Sequence, residues 1–278
     1  MPRVLLEEGL GREASGAEGP QGQAAQGSSL EPAPPPTPVP ADGSPYWHFY
    51  EDVAARQVAE WAPAAPARVL DVSSGRPRFA AQLAAAGHEV VHVASTWSGP
   101  AVPPDAGTVR TVQADPRSLS WLADASVDAV LAESRALSTC LATEVFVEEL
   151  HRVLRPGGRL LMVVESLVLG LARLAEQGRW AELADVPQAD VVLVPDEDGA
   201  ITRCFWPEEL EGLLRGAGFD VDWVRPRTVL TASAVERALA EGGRTTRETL
   251  VAHELELEAA REGEAAGLYL AASARRPA

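Results

Sequence analysis

Lysine is absent from this chain: all 24 of its basic residues are arginine. Schiff-base chemistry on a lysine is therefore excluded. Cysteine is nearly absent too, with only Cys140 and Cys204, far apart and in no Cys-x-x-Cys pattern. That excludes a disulfide framework and a thiolate zinc site, fits a reducing compartment, and leaves each thiol to be read as free and buried. The five histidines show no metal-ligand spacing. No apolar run approaches the ~20 residues of a membrane span. The opening "MPRVLLEEGLGRE" meets acids at once and has neither a basic n-region nor a 7–15-residue apolar core. These absences predict a cytoplasmic protein with no membrane partner. Positive charge is scarce as well, since 40 acidic residues give a net charge of −16. A nucleic-acid binder needs a cationic footprint, and this chain repels polyanions on average. Small molecules or proteins are the expected partners.

Apolar residues make up 46 % of the 278, enough for a large core. They are unevenly spread. Residues 1–44 are Gly, Gln, Ser, Ala and Pro with little to bury, and six prolines fall between Pro32 and Pro40. This composition predicts a disordered, partly polyproline II tail. A folded domain is expected over 45–278. It starts with a helix at Ser44-Pro45, where Tyr46, Trp47, Phe49 and Tyr50 concentrate aromatics that are only 5 % of the whole. Two readings of that cluster stay open: a core-facing helix, or a lid over a ligand cleft that would bring His48 to it.

From residue 67 onward, strand and helix patterns alternate. "ARVLDV", "HEVVHVA", "TVRTVQAD", "SVDAVLAE" and "RLLMVVES" read as strands; "RFAAQLAAAG" and "LATEVFVEELHRVLR" read as helices. "PGG" breaks the second helix. A helix over 167–184, a hairpin over 190–206, a helix from Pro207, a strand from Phe219, one polar helix over 233–264 and a final strand "AGLYLAASARR" complete the order. Alternation of this kind means a parallel sheet covered on both faces.

The order and its phrases resemble the class I S-adenosylmethionine-dependent methyltransferases, in particular the type 11-like group. "VLDVSSGRPRFA" aligns without gaps on the family's first motif, and "EELHRVLRPGGRLLMVV" is the most family-specific stretch. The resemblance runs from about Tyr46 to Arg276. It implies an α/β, Rossmann-like doubly wound fold: a mostly parallel seven-stranded sheet with an antiparallel last strand and helices on both faces. It also implies S-adenosyl-L-methionine as cofactor.

Four positions carry that expectation. Asp71, ending strand one, corresponds to the acid that orients the methionine ammonium. Ser73, Gly75 and Pro77 stand where the family has three glycines, so one survives; proline cannot copy a glycine at positive φ. Arg76 and Arg78 beside them either grip an anion or lie in solvent. Ala94, followed by Ser95 and Thr96, stands where an acid would hold the ribose hydroxyls. Loss of such charge-assisted bonds, about 1.5–3 kcal/mol each, weakens binding roughly ten- to a hundredfold. Asp115 keeps the acid that faces the adenine. Candidate catalytic residues are Glu133, ending strand four, and His48. The expected activity is methyl transfer to a small molecule. Two alternatives stand beside it: a catalytically inactive methyltransferase fold kept as a binding module, and a loop now binding another anionic metabolite.

Overall fold

A computed structural model of the chain describes residues 43–73, 77–95, 109–189, 191–196, 199–241, 245–264 and 266–278. The expected tail up to residue 42, Gly75, Arg76, Thr96 and the loop "WSGPAVPPDAG" lie outside the described residues. The chain begins with α1 (Pro45–Trp61), where the Ser44 hydroxyl caps the Trp47 N–H and proline occupies the first turn. Then follow β1 (Arg68–Asp71), α2 (Ala80–Ala85), β2 (Glu89–Ala94), β3 (Val109–Gln113), β4 (Val127–Ala132), α3 (Thr143–Val153) and β5 (Leu154–Glu165). After these come α4 (Leu167–Glu176), α5 (Trp180–Asp185), β6 (Val192–Pro195), β7 (Ile201–Cys204) and α6 (Pro207–Gly216). The order closes with β8 (Asp220–Arg227), α7 (Ala232–Glu241), α8 (Arg247–Ala260) and β9 (Tyr269–Arg275).

Seven of these strands form one sheet, in the order β3-β2-β1-β4-β5-β9-β8. Only β9 runs antiparallel to its neighbours. The fold is thus the α/β, mostly parallel doubly wound sheet that the sequence implies. Along β5, Leu160, Met162 and Val164 pack into the layer holding Phe146 and Leu150 of α3 and Leu210 and Leu214 of α6. Leu161 and Val163 face the other way, onto Tyr50, Ala54, Val58 and Trp61 of α1 and Leu83 of α2. That parity is why β5 reads as a continuous apolar run. Tyr46 and Phe49 are fully buried against Val235, Leu250 and Val251 of α7 and α8, so the aromatic cluster is a core face.

Three local expectations change. The helix over 167–184 is two helices, with Gly178 at φ +69° after α4. The long polar helix over 233–264 is also two, and α8 has its own hydroxyl cap at Thr246. "PGG" is a bulge inside β5: Val127 pairs with Leu154 but Ala129 pairs with Arg159. A Cβ on Gly158 would lie 2.8 Å from the Arg155 carbonyl oxygen and 3.0 Å from that of Asp128, so only glycine fits there. Both cysteines are buried free thiols.

Candidate cofactor cleft

β1 and β4 are neighbours, yet the chain leaves β1 toward β2 and β3 and returns at β4 to build the other half. Ligands of such sheets sit beyond the carboxyl ends of the strands at that switch. Asp71 is the last residue of β1 and is fully buried. Its Oδ1 accepts the Ser73 N–H at 3.0 Å. Its Oδ2 is buried and has no partner; His92 Nδ1 stands 3.6 Å away, too far for a good hydrogen bond. Ser73 is buried, and its hydroxyl accepts the Glu133 N–H at 3.0 Å. Ser73, where the resemblance led us to expect a glycine, thus ties the exits of β1 and β4 together. Pro77 is buried just before α2. Arg78 is exposed and pairs with Glu51 of α1 at 3.1 Å.

At the end of β2, Ala94 is half-buried and Ser95 exposed. The Ala94 carbonyl accepts the Ala114 N–H at 3.0 Å. Asp115 is exposed and held by Arg117: Oδ1 accepts its N–H and Nε at 2.9 Å, and Oδ2 accepts Nη2 at 2.8 Å. These hydrogen bonds, with the guanidinium charge, hold the Asp115 carboxyl below the usual carboxylate range.

The two candidate catalytic residues differ in their surroundings: Glu133 follows the end of β4 as expected, but buried. Glu133 is 2 % exposed rather than a solvated strand-end acid. Arg227, at the end of β8, is fully buried and donates Nη1 to both carboxylate oxygens at 2.9 Å. The Tyr50 hydroxyl accepts from the same Nη1 at 3.4 Å, while Nε and Nη2 have no partner. A carboxylate with both oxygens on a guanidinium is poorly placed to take a proton from a substrate. His48 is exposed on α1, whose buried face is Tyr46, Phe49 and Tyr50. The lid that would have carried it to the cleft is core instead.

Sequence reasoning missed Arg227. The signal was there: Trp223, Arg225 and Arg227 share one face of a strand by parity, and the last falls at the strand's carboxyl end. It missed a second cluster beside the same end of the sheet. Ser134 and Arg135 follow β4 in left-handed conformations, φ +57° and +67°, uncommon for residues other than glycine. Arg135 pairs with the fully buried Glu165 at 2.6 Å and with Asp196 at 2.7 Å. Arg173 of α4 pairs with Glu165 at 2.7 Å. These pairs tie the β4 exit, the β5 end and the β6–β7 hairpin into one unit. Burial pushes the Glu165 carboxyl up, against the pull of the two guanidinium groups.

Residues 70–162, which span β1 to most of β5, match the methyltransferase domain family. No match to a functionally curated protein was found. Among solved structures, an S-adenosylmethionine-dependent methyltransferase of Methanosarcina mazei is similar at 17 % identity. That match covers 80 % of this chain and 97 % of that one, with a TM-score of 0.52. One from Mesorhizobium loti is similar at 18 % identity, 84 % and 99 % coverage and a TM-score of 0.53. A Thermotoga maritima protein described as a possible histamine N-methyltransferase gives 18 %, 83 %, 99 % and 0.53. At these identities the likeness is one of fold.

Proposed function

We propose, for a chain that carries a class I S-adenosylmethionine-dependent methyltransferase domain, that it transfers a methyl group to a small molecule. The observation that carries this reading is the match over 70–162, because those residues build the strand ends on both sides of the switch point. The net charge of −16 favours a small substrate over a nucleic acid. The cleft fits the cofactor at its cationic end: Asp71 holds a buried oxygen without a partner at the end of β1. In this reading Asp71 holds the ammonium group, while Ser95 and Asp115 flank the nucleoside end. The cofactor, when bound, supplies an electrophilic methyl carbon on a sulfonium. The chain's own contribution is positioning. Ser73 and Arg227 fix the Glu133 segment as a rigid wall, and the proton of the attacking group leaves to solvent.

Calorimetry with S-adenosylhomocysteine tests the site. The parent should bind saturably, and Asp71→Asn should bind tenfold or more weakly with unchanged circular dichroism. No binding by the folded parent would overturn the reading and leave an inactive binding module of this fold. Methyl-tritiated cofactor, incubated with the protein and a cell extract, tests the substrate class. Label should appear in the ultrafiltrate on a species that chromatography separates from the cofactor, and only with the active protein; label retained on macromolecules would overturn the small-molecule assignment.

A further inference from the structure

Asp71 and His92 are register partners on the adjacent parallel strands β1 and β2. By parity both side chains share the face of Val69 and Val90, the layer that Phe79, Ala80 and Leu83 at α2 complete. There Asp71 is fully buried and His92 is 1 % exposed. The carboxylate Oδ1 accepts the Ser73 N–H. Oδ2 and His92 Nδ1 stand 3.6 Å apart, both closed to solvent and both without a hydrogen-bond partner. Buried polar atoms are nearly always paired in folded proteins, so two idle ones facing each other describe a contact poised between made and broken.

A buried carboxylate with one backbone hydrogen bond needs a cation beside it. Among the described residues His92 is the one basic side chain within 4 Å of Asp71. From β3, Thr111 stands opposite His92 in register, and the covering residues of α2 are apolar, so neither side titrates. From β4, Glu133 shares the face of Asp71 but is neutralised by Arg227 at 2.9 Å. Arg78, just before α2, and Glu51 of α1 are exposed and pair with each other. His88 lies on the same face, four residues back toward the other end of β2. Histidine ordinarily exchanges its proton at about pH 6.5, so His92 can supply the missing charge or withdraw it.

We propose that His92 is a positioning residue of the cofactor site, charged and paired with Asp71 until the cofactor's ammonium takes the same carboxylate. The inference rests on the reading that Asp71 holds that ammonium. One buried carboxylate neutralises one cation, and a second cation beside it is repelled. The closure of Oδ2 belongs to this exchange. The ammonium does not fill an open slot; the carboxylate turns from His92 toward the exit of β1 to meet it. The imidazolium, left without its partner in an apolar layer, breaks one N–H bond and gives that proton to the buffer. Linkage then runs both ways: binding discharges His92, and acid, which keeps His92 charged, weakens binding.

Calorimetry of the full chain with S-adenosylhomocysteine, in buffers of different ionisation heat, counts that proton. At pH 6.5 the parent should release about half a proton per molecule bound, the charged fraction of an ordinary histidine there. Its affinity should fall roughly tenfold between pH 7.5 and pH 5.5. His92→Asn should release no proton and hold its affinity nearly constant over the same range. If that variant does not fold, imidazole nitrogen NMR of the parent reads the same event. At pH 6.5, adding S-adenosylhomocysteine should move one of the five histidines from its charged to its neutral form. Binding without proton release and without a discharged histidine would overturn this role for His92 and leave the cofactor site standing. Proton release that persists in His92→Asn would overturn it too, since another group would then titrate. No binding at any pH would overturn the site itself, and this inference with it.

Discussion

Ala94 sits half-buried at the end of β2, beside the exit of β1 and with no carboxylate to offer. A strand end tolerates an acid, so Ala94→Asp should tighten S-adenosylhomocysteine about tenfold by calorimetry, about 1.4 kcal/mol. Unchanged affinity would mean that the ribose does not lie beside β2. Arg227 is the opposite case, a charge whose loss harms the fold before it harms chemistry. Removing one partner of a buried pair leaves the other unpaired and costs about 3–5 kcal/mol. For a domain of this size that is a fall in Tm of roughly 10 °C. Arg227→Met alone should show that fall, and adding Glu133→Leu should recover most of it, because no charge is then stranded. If Arg227→Met melts like the parent, the pair is not buried as described. These two residues also show where the sequence stopped being legible. Asp71, Ala94 and Asp115 were placed at their strand ends because local strand patterns fix where each strand stops. The role of Glu133 was not readable, since its partner lies 94 residues further on and no local pattern announces the pairing.

Elements were legible in proportion to how local their cause is. α3 shows apolar residues at 3–4 spacing, buried as Phe146, Val147, Leu150 and Val153, and β5 shows a run that only a doubly covered strand permits. The division between α7 and α8 was not seen although Gly242-Gly243 and the hydroxyl cap at Thr246 announce it; the helical periodicity on both sides outweighed them. α8 carries the clearest pH dependence. Its Glu254 accepts the N–H groups of Val229 and Leu230, and its Glu258 that of Thr228, so two buried acids one turn apart anchor the segment leaving β8. Burial raises both, Glu258 to about 8 from an ordinary value of 4.5; the neighbouring Glu254 adds to the rise of Glu258, whereas a hydrogen bond with Glu258 holds Glu254 back. A carboxyl whose folded pKa is raised holds a proton that the unfolded chain gives up, so stability falls as pH climbs from about 4.5 to about 8. The Tm of the parent should decline across that window. Glu258→Gln, which keeps an acceptor for Thr228, should decline less steeply; a parallel decline would show that Glu258 titrates normally.

At the scale of the whole molecule, residues 1–43 offer almost no apolar side chains. Their deletion should leave Tm within a few degrees, whereas a drop beyond about 5 °C, roughly 1–2 kcal/mol, would show that they dock. The far end of the chain behaves differently. β9 lies between β5 and β8, and Arg276 beyond it donates to the carbonyls of His151, Arg152 and Leu154, closing the end of α3. Stopping the chain after Ala266 should abolish cooperative unfolding by circular dichroism, and a sharp transition in that fragment would show that the half-sheet folds unaided. The position of β9 also sets a timetable for synthesis. β5 is made more than a hundred residues before the strand that covers its open side. At ~5–20 residues per second a ribosome needs on the order of ten seconds to supply it. Throughout that interval the nascent chain carries an unpaired edge rich in Leu and Val, the kind of surface on which chaperones act and chains aggregate. Yield in a heterologous host should therefore depend on elongation speed between codons 166 and 269 and on chaperone supply, more than on the thermal stability of the finished sheet.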